Sequence, residues 1–209
     1  MSGRQGILVP VVGPSGAGKD SIMSYARAGL ADTPSIHFAR RVITRPCDPN
    51  SELHDTLDEA GFRAAEAAGN FVLSWRSHGL CYGIPREVED RLAKGQTVVA
   101  NLSRSSVAEA ILRFPRVLPV LVSVSPEILA ERLAARGRES HEEISARLAQ
   151  SVPATAPGIQ YRIIANDGSL DEAGKAFIAL LRSTMEHVGS RTGKHSISST
   201  PAGAQTTIT

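Results

Sequence analysis

Gly13-Pro14-Ser15-Gly16-Ala17-Gly18-Lys19-Asp20 is the stretch that decides the fold. The apolar run before it, Ile7-Leu8-Val9-Pro10-Val11-Val12, reads as a buried strand. The residues after it, Ser21-Ile22-Met23-Ser24-Tyr25-Ala26, read as the first turns of a helix. Strand, glycine loop, Lys and helix make the P-loop arrangement. Glycines let the backbone curl so that successive N–H groups point inward at a phosphate chain. The helix N-terminus adds partial positive charge, and Lys19 reaches the outer phosphates. Gly13 to Ser21 are therefore expected to bind ATP. One residue departs from the standard motif: a Ser or Thr, whose hydroxyl binds magnesium, is replaced by Asp20.

The rest of the chain alternates strands and helices. Strands are expected over 35–43, 71–75, 97–100, 117–124 and 161–165. Helices are expected over 58–68, 85–94, 105–114, 126–136, 142–150 and 170–187. Pro85 and Pro126 suit first helical positions, and Gly69 and Gly95 suit C-terminal caps. Pro119 requires an edge strand or a missing ladder bond near a strand start. Alternation of this kind implies an α/β fold, a mostly parallel five-stranded sheet with helices on both faces. The tail over 189–209 is Ser/Thr/Gly-rich without apolar periodicity and is expected to be disordered.

The chain has 209 residues, enough for one sizeable α/β domain. A net charge of +2 gives no nucleic-acid-binding balance, so anion binding must come from local clusters. Cys47 and Cys81 form neither a metal spacing nor a redox pair, which suits a reducing compartment. The N-terminal stretch lacks a signal-peptide pattern, and no apolar stretch has membrane-spanning length. A cytoplasmic protein, a monomer or homodimer with no nucleic-acid or membrane partner, is expected.

Two arginine clusters extend the picture. Arg132 and Arg136 are four apart and share a helix face, and Gly137 separates them from Arg138 and Arg147. Two short helices with inward arginines suit a closing lid that stabilises charge on a transferring phosphoryl group. Arg40, Arg41 and Arg45 sit at the end of the second expected strand, and open α/β sheets bind ligands at the carboxyl ends of strands.

Together these residues resemble the guanylate-kinase family of P-loop phosphotransferases. The resemblance is carried by the glycine loop, Thr44-Arg45-Pro46, Gly69-Asn70-Phe71, His78-Gly79, Tyr82-Gly83-Ile84-Pro85, Arg136-Gly137 and Arg147. It covers roughly Gly6 to His187. It implies a kinase domain over 1–188, with an acceptor-binding insert at about 40–84 and a lid at about 132–150. It also implies that Asn166, after the last strand, contacts adenine, and that Lys19, Arg132, Arg136 and Arg147 serve catalysis.

The departures from that family concern the acceptor. Leu73 stands where a guanine-reading acid is expected, Cys47-Asp48 replaces a second arginine, and Asn101 and Ser103 replace strand-end acids. Guanine N–H donors left unpaired by such losses cost selectivity. The pattern, with Asn101-Leu102-Ser103-Arg104, resembles a bacterial branch that phosphorylates ribose 1,5-bisphosphate on its 1-phosphate during phosphonate breakdown.

An acceptor with two phosphates and a small sugar needs more positive charge and less flat stacking surface than a nucleotide. Arg41, Arg45, His78, Tyr82, Asn101, Ser103 and Arg104 are the candidate acceptor-binding residues. A phosphate monoester with pKa near 6 is about nine-tenths dianionic at pH 7, so no general base is required. His54-Asp55 and His78 accordingly read as structural or substrate-contacting. Asp20 is the candidate magnesium-directing carboxylate, taking over from the missing strand-end acids. The competing readings are a guanylate or other nucleoside monophosphate kinase and a non-catalytic scaffold, and the intact loop with Lys19 opposes the scaffold.

Overall fold

The computed structural model describes residues 5–46, 54–135 and 158–189. The elements run β1 (Ile7–Val12), α1 (Lys19–Gly29), β2 (Ile36–Phe38), β3 (Val42–Ile43), β4 (Asp55–Thr56), α2 (Glu59–Ala67), β5 (Phe71–Ser77) and β6 (Leu80–Pro85). They continue with α3 (Glu87–Ala93), β7 (Thr97–Asn101), α4 (Arg104–Arg113), β8 (Val120–Ser123), α5 (Pro126–Ala135), β9 (Arg162–Ala165) and α6 (Leu170–Gly189).

Five strands form the expected parallel sheet in the order β2-β7-β1-β8-β9. Parallel neighbours cannot be joined by tight turns, so helices carry the crossovers and cover the faces. Side chains alternate along each strand. On one face Val9, Val11, Val99 and Val122 pack with Ile22, Met23 and Ala26 of α1 and Phe177 and Leu181 of α6. On the other, Leu8, Val12, Val98 and Ala100 pack with Val88 and Leu92 of α3 and Val107 and Ala110 of α4.

A second sheet, β4-β3-β6-β5, is built from the chain between β2 and α3. Its β5–β6 hairpin turns on His78 (φ 50°) and Gly79 (φ 72°). Two positive φ values in a two-residue turn match the right-handed strand twist, and His tolerates that region better than most side chains. Behind it, Asp58 caps α2 by accepting the Gly61 N–H at 2.7 Å. Glu66 accepts hydrogen bonds from Ser74 Oγ at 2.6 Å and Arg76 Nη2 at 2.7 Å, and these, Arg76 foremost, hold its carboxyl below the ordinary value.

The chain departs from the sequence reading in three places. The single strand expected over 35–43 is two strands in different sheets. Ile36 and Phe38 are buried against the core, and the Ala39 N–H still donates to the Val99 carbonyl at 2.9 Å. Arg40 and Arg41 then carry the chain out, and Val42 and Ile43 pair with β6 and β4. Pro85 ends β6 instead of opening a helix: it lies opposite Phe71, and α3 starts at Glu87. The strand expected from 117 shortens to Val120–Ser123, leaving Val117 as an isolated bridge to Leu8. Pro119 just precedes it, where its missing N–H interrupts no ladder in a central strand. The helix expected over 142–150 and the tail beyond 189 lie outside the described residues.

Gly174 of α6 sits where an added Cβ would fall 2.6 Å from Tyr25 Cγ. The Tyr25 hydroxyl donates to Asp171 Oδ1 at 2.6 Å, so the ring is tied to α6 and poorly placed to yield. Alanine favours a helix over glycine by about 1 kcal/mol, whereas overpacking costs about 1–3 kcal/mol. Gly174→Ala is therefore expected to lower the urea midpoint of unfolding with the m-value unchanged, and a raised midpoint would show that the ring moves freely.

Candidate active site

The loop between β1 and α1 takes its shape from left-handed backbone at Gly16 (φ 93°) and Gly18 (φ 86°). A Cβ on Gly16 would meet Leu129 Cδ1 of α5 at 2.8 Å, and one on Gly18 would strike the Asn166 amide. The loop is thus clasped by α5 and by the end of β9. Asn166, 4% exposed, donates from Nδ2 to the Ala17 carbonyl at 2.7 Å. Its neighbour Asp167 accepts the Ser125 N–H at 2.6 Å beside the start of α5. Lys19 Nζ donates to the Gly13 and Pro14 carbonyls at 2.8 and 2.9 Å, folded along the loop it belongs to. Arg132 of α5 places Nη1 3.9 Å from where a Gly18 Cβ would stand, and this buried nitrogen has no hydrogen-bond partner among the described residues. Ser21 lies in the exposed first turn of α1.

The loop forms one wall of a cavity of about 560 Å³. Gly13, Pro14, Ser15, Lys19 and Asp20 line it from the β1–α1 side. Arg41, Arg45, His78 and Tyr82 line it from the second sheet, and Asn101, Ser103 and Arg104 from the end of β7 and the start of α4. All seven expected acceptor residues therefore share a cavity with Lys19. Four cations face a single carboxylate among the described lining residues. Asp20 is that carboxylate, and its Oδ1 accepts from Asn101 Nδ2 at 2.8 Å. Ser103 caps α4, its hydroxyl accepting the Ser106 N–H at 3.1 Å, so a helix N-terminus also opens on the cavity.

Arg45 is positioned from behind. Its carbonyl accepts from Thr56 Oγ1 at 3.1 Å and lies 3.2 Å from His54 Nε2. His54 is 3% exposed and so acts as a structural partner of this loop. The buried Nε of Arg45 has no hydrogen-bond partner among the described residues.

Relatives named ribose 1,5-bisphosphate phosphokinase PhnN align along most of the chain. The protein of Chelativorans sp. is 46% identical over 180 residues, 86% of each chain. That of Thiobacillus denitrificans is 49% identical over 177 residues, 85% of this chain and 93% of the relative. The chain belongs to the ribose 1,5-bisphosphate phosphokinase family. No family model matches it. In fold it is similar to guanylate kinase from Anaplasma phagocytophilum, with TM-score 0.60 and 17% identity over 86% of each chain. It is also similar to a gluconokinase from Sinorhizobium meliloti, with TM-score 0.50 and 18% identity over 92% of this chain and all of that one.

The wall that the second sheet gives the cavity also carries aromatic surface. Trp75 lines the cavity, stacked on Tyr82 with ring centroids 5.3 Å apart and planes 4° from parallel. Ile43, Ser77, Leu102 and Ser105 also line it without having been singled out. Counting back from the His78-Gly79 turn pairs Ser77 with Leu80, Arg76 with Cys81 and Trp75 with Tyr82, so the hairpin register was the available signal. Leu73, two residues earlier on the same face, is buried in the core instead of lining the cavity. Arg136, Arg138, Arg147 and Cys47-Asp48 lie outside the described residues. Among the described residues no group of His, Cys, Asp or Glu gathers as a metal site, and no helix is long and apolar enough to cross a membrane.

The Asn166 amide gives a direct test of how the loop is held. Asn166→Asp keeps the shape but turns an acceptor toward the Ala17 carbonyl. Leaving that buried carbonyl without its donor is expected to weaken ADP binding about tenfold, measured by titration calorimetry. Unchanged affinity would show that the loop keeps its shape without this bond.

Proposed function

We propose that the protein transfers the γ-phosphoryl group of ATP to the 1-phosphate of α-D-ribose 1,5-bisphosphate, giving 5-phospho-α-D-ribose 1-diphosphate and ADP. The observation that carries this reading is the single cavity joining Lys19 and its glycine loop to Arg41, Arg45 and Arg104, with no carboxylate on the acceptor side among the described residues. The names of the relatives supply the acceptor. The reaction fits a place in bacterial phosphonate breakdown in the cytoplasm.

A 1-phosphate oxygen forms the new bond to the γ-phosphorus while the bond to the β-phosphate oxygen breaks, and ADP leaves. At neutral pH the attacking oxygen already carries its charge, so no side chain removes a proton. The protein's task is to hold two polyanions together and compensate their charge. The loop N–H groups and Lys19 cradle the donor phosphates, and Arg132 adds charge beside Gly18. Its buried Nη1, without a hydrogen-bond partner among the described residues, suits a phosphate oxygen. Arg136 and Arg147, farther along from α5, complete the lid. Asn166 serves the nucleotide by shaping the loop as well as through any adenine contact. Arg41, Arg45 and Arg104 hold the acceptor phosphates, with His78, Tyr82 and Ser103 beside the sugar.

Magnesium, when bound, offsets charge on the donor phosphates. Asp20 suits it as a hard oxygen ligand at the loop's edge, oriented by the hydrogen bond from Asn101. Asp20→Ser is expected to reduce the gain in ADP affinity that magnesium confers, as read by calorimetry with and without the ion. An equal gain in both proteins would remove Asp20 from that role.

The reaction itself is tested by offering ribose 1,5-bisphosphate and GMP in parallel with ATP and magnesium, and following products by phosphorus NMR. A new diphosphate from the ribosyl acceptor alone is expected, with Lys19→Met reducing its rate by about 10²–10³-fold. Because a stacked aromatic pair also suits a nucleobase, GMP is the critical control. Turnover of GMP at equal or higher kcat/KM would make the chain a nucleoside monophosphate kinase.

A further inference from the structure

Trp75 and Tyr82 face each other across adjacent strands, and the Arg41 guanidinium lies over the Tyr82 ring, 5.4 Å from its centroid. The three side chains form a stack across the second sheet, on the side that lines the cavity. Tyr82 has Trp75 and Arg41 as its ring-stacking neighbours, and the indole is the larger of the two aromatic rings that line the cavity. We infer that Trp75 is the acceptor-recognition residue for the pentose ring, the indole meeting the sugar's C–H face while the cations hold its phosphates. This rests on the proposed sugar-phosphate acceptor and adds the residue that recognises its carbon skeleton.

The surroundings favour a sugar over a nucleobase on this platform. A purine edge needs paired donors and acceptors, and a site lacking them loses selectivity. The one carboxylate of the described lining, Asp20, already accepts from Asn101, and Leu73 is buried away from the cavity. The same cavity is lined by hydroxyls and an imidazole: Ser77 on the same strand face as the indole, His78 in the turn, and Ser103 and Ser105 at the start of α4. These suit ribose hydroxyls and phosphate oxygens. A ring's π face carries partial negative charge, which attracts the polarised C–H groups of a sugar. The stack with Tyr82 and Arg41 fixes the indole before the acceptor arrives and lowers the ordering cost of binding. The indole is partly buried against the core cluster that contains Val72 and Leu73, which fixes it further.

Trp75 is the only tryptophan of the chain, so its emission reports this site alone. The full-length protein is titrated without ATP, using ribose 1,5-bisphosphate, ribose 5-phosphate and pyrophosphate. A saturable emission change with both pentose phosphates, and none with pyrophosphate at saturating concentration, is expected. In parallel, Trp75→Ala is expected to raise KM for ribose 1,5-bisphosphate about tenfold, more than it lowers kcat, while Trp75→Phe stays within about threefold of the parent. Melting curves for both variants establish that they are folded, and the Phe variant keeps the test valid if Ala unfolds. Unmoved emission at saturating acceptor, an equal response to pyrophosphate, or an unchanged KM in a folded Trp75→Ala would each overturn the inference. Saturable emission with ribose 1,5-bisphosphate but no phosphoryl transfer to it would uphold the platform and sink the proposed reaction instead.

Discussion

One buried amide fixes the shape of the phosphate loop. Asn166 joins the carboxyl end of the last core strand to the Ala17 carbonyl, 149 residues away in sequence. A loop of three glycines is entropically costly to order. Its order comes from being clasped on two sides, by Asn166 and by Leu129 and Leu133 of α5 against Gly16. The parallel sheet makes this possible, because it brings the ends of β1, β7, β8 and β9 to one edge. The described groups that shape or face the loop come from that edge, from α5 and from the second sheet beside it.

Charge is distributed with the same economy. The whole chain carries only +2, yet the cavity gathers Lys19, Arg41, Arg45 and Arg104 against one aspartate. In a concave site with low-dielectric walls such a cluster focuses its field on the ligand instead of being screened as a surface patch would be. Several of the remaining arginines of the described chain are matched by carboxylates. Arg76 pairs with Glu66, Arg113 with Glu89 and Arg63 with Glu59. The contrast between balanced surface and unbalanced cavity marks the site as firmly as the glycine loop does.

Much of this was legible in the sequence because the decisive signals are local. The glycine loop, Arg41, Arg45 and the Asn101-to-Arg104 strand end each occupy a few consecutive residues, and each lines the cavity. What escaped depends on register or on distant contacts. The run Ile36 to Ile43 is apolar enough to read as one strand, and only the competing partners Val99 and Tyr82 divide it between two sheets. Trp75 emerges only once the His78-Gly79 turn fixes which residue faces Tyr82. Asn166 followed a strand, as a ligand-contacting residue would. Its bond to Ala17 belongs to tertiary structure and leaves no local trace.

The second-sheet wall of the cavity shares its foundations with the rest of the molecule. Val72, Leu73 and Ile84 of the second sheet lie in the same apolar cluster as Val98 of the core sheet and Val107 of α4. The second sheet is therefore no cassette that could be exchanged to give a new acceptor. Remodelling it disturbs packing that also holds the nucleotide-binding half together. A chain built this way can change the lining of this cavity only in small, stability-limited steps, through side chains such as Trp75 that stand at the rim of the shared core.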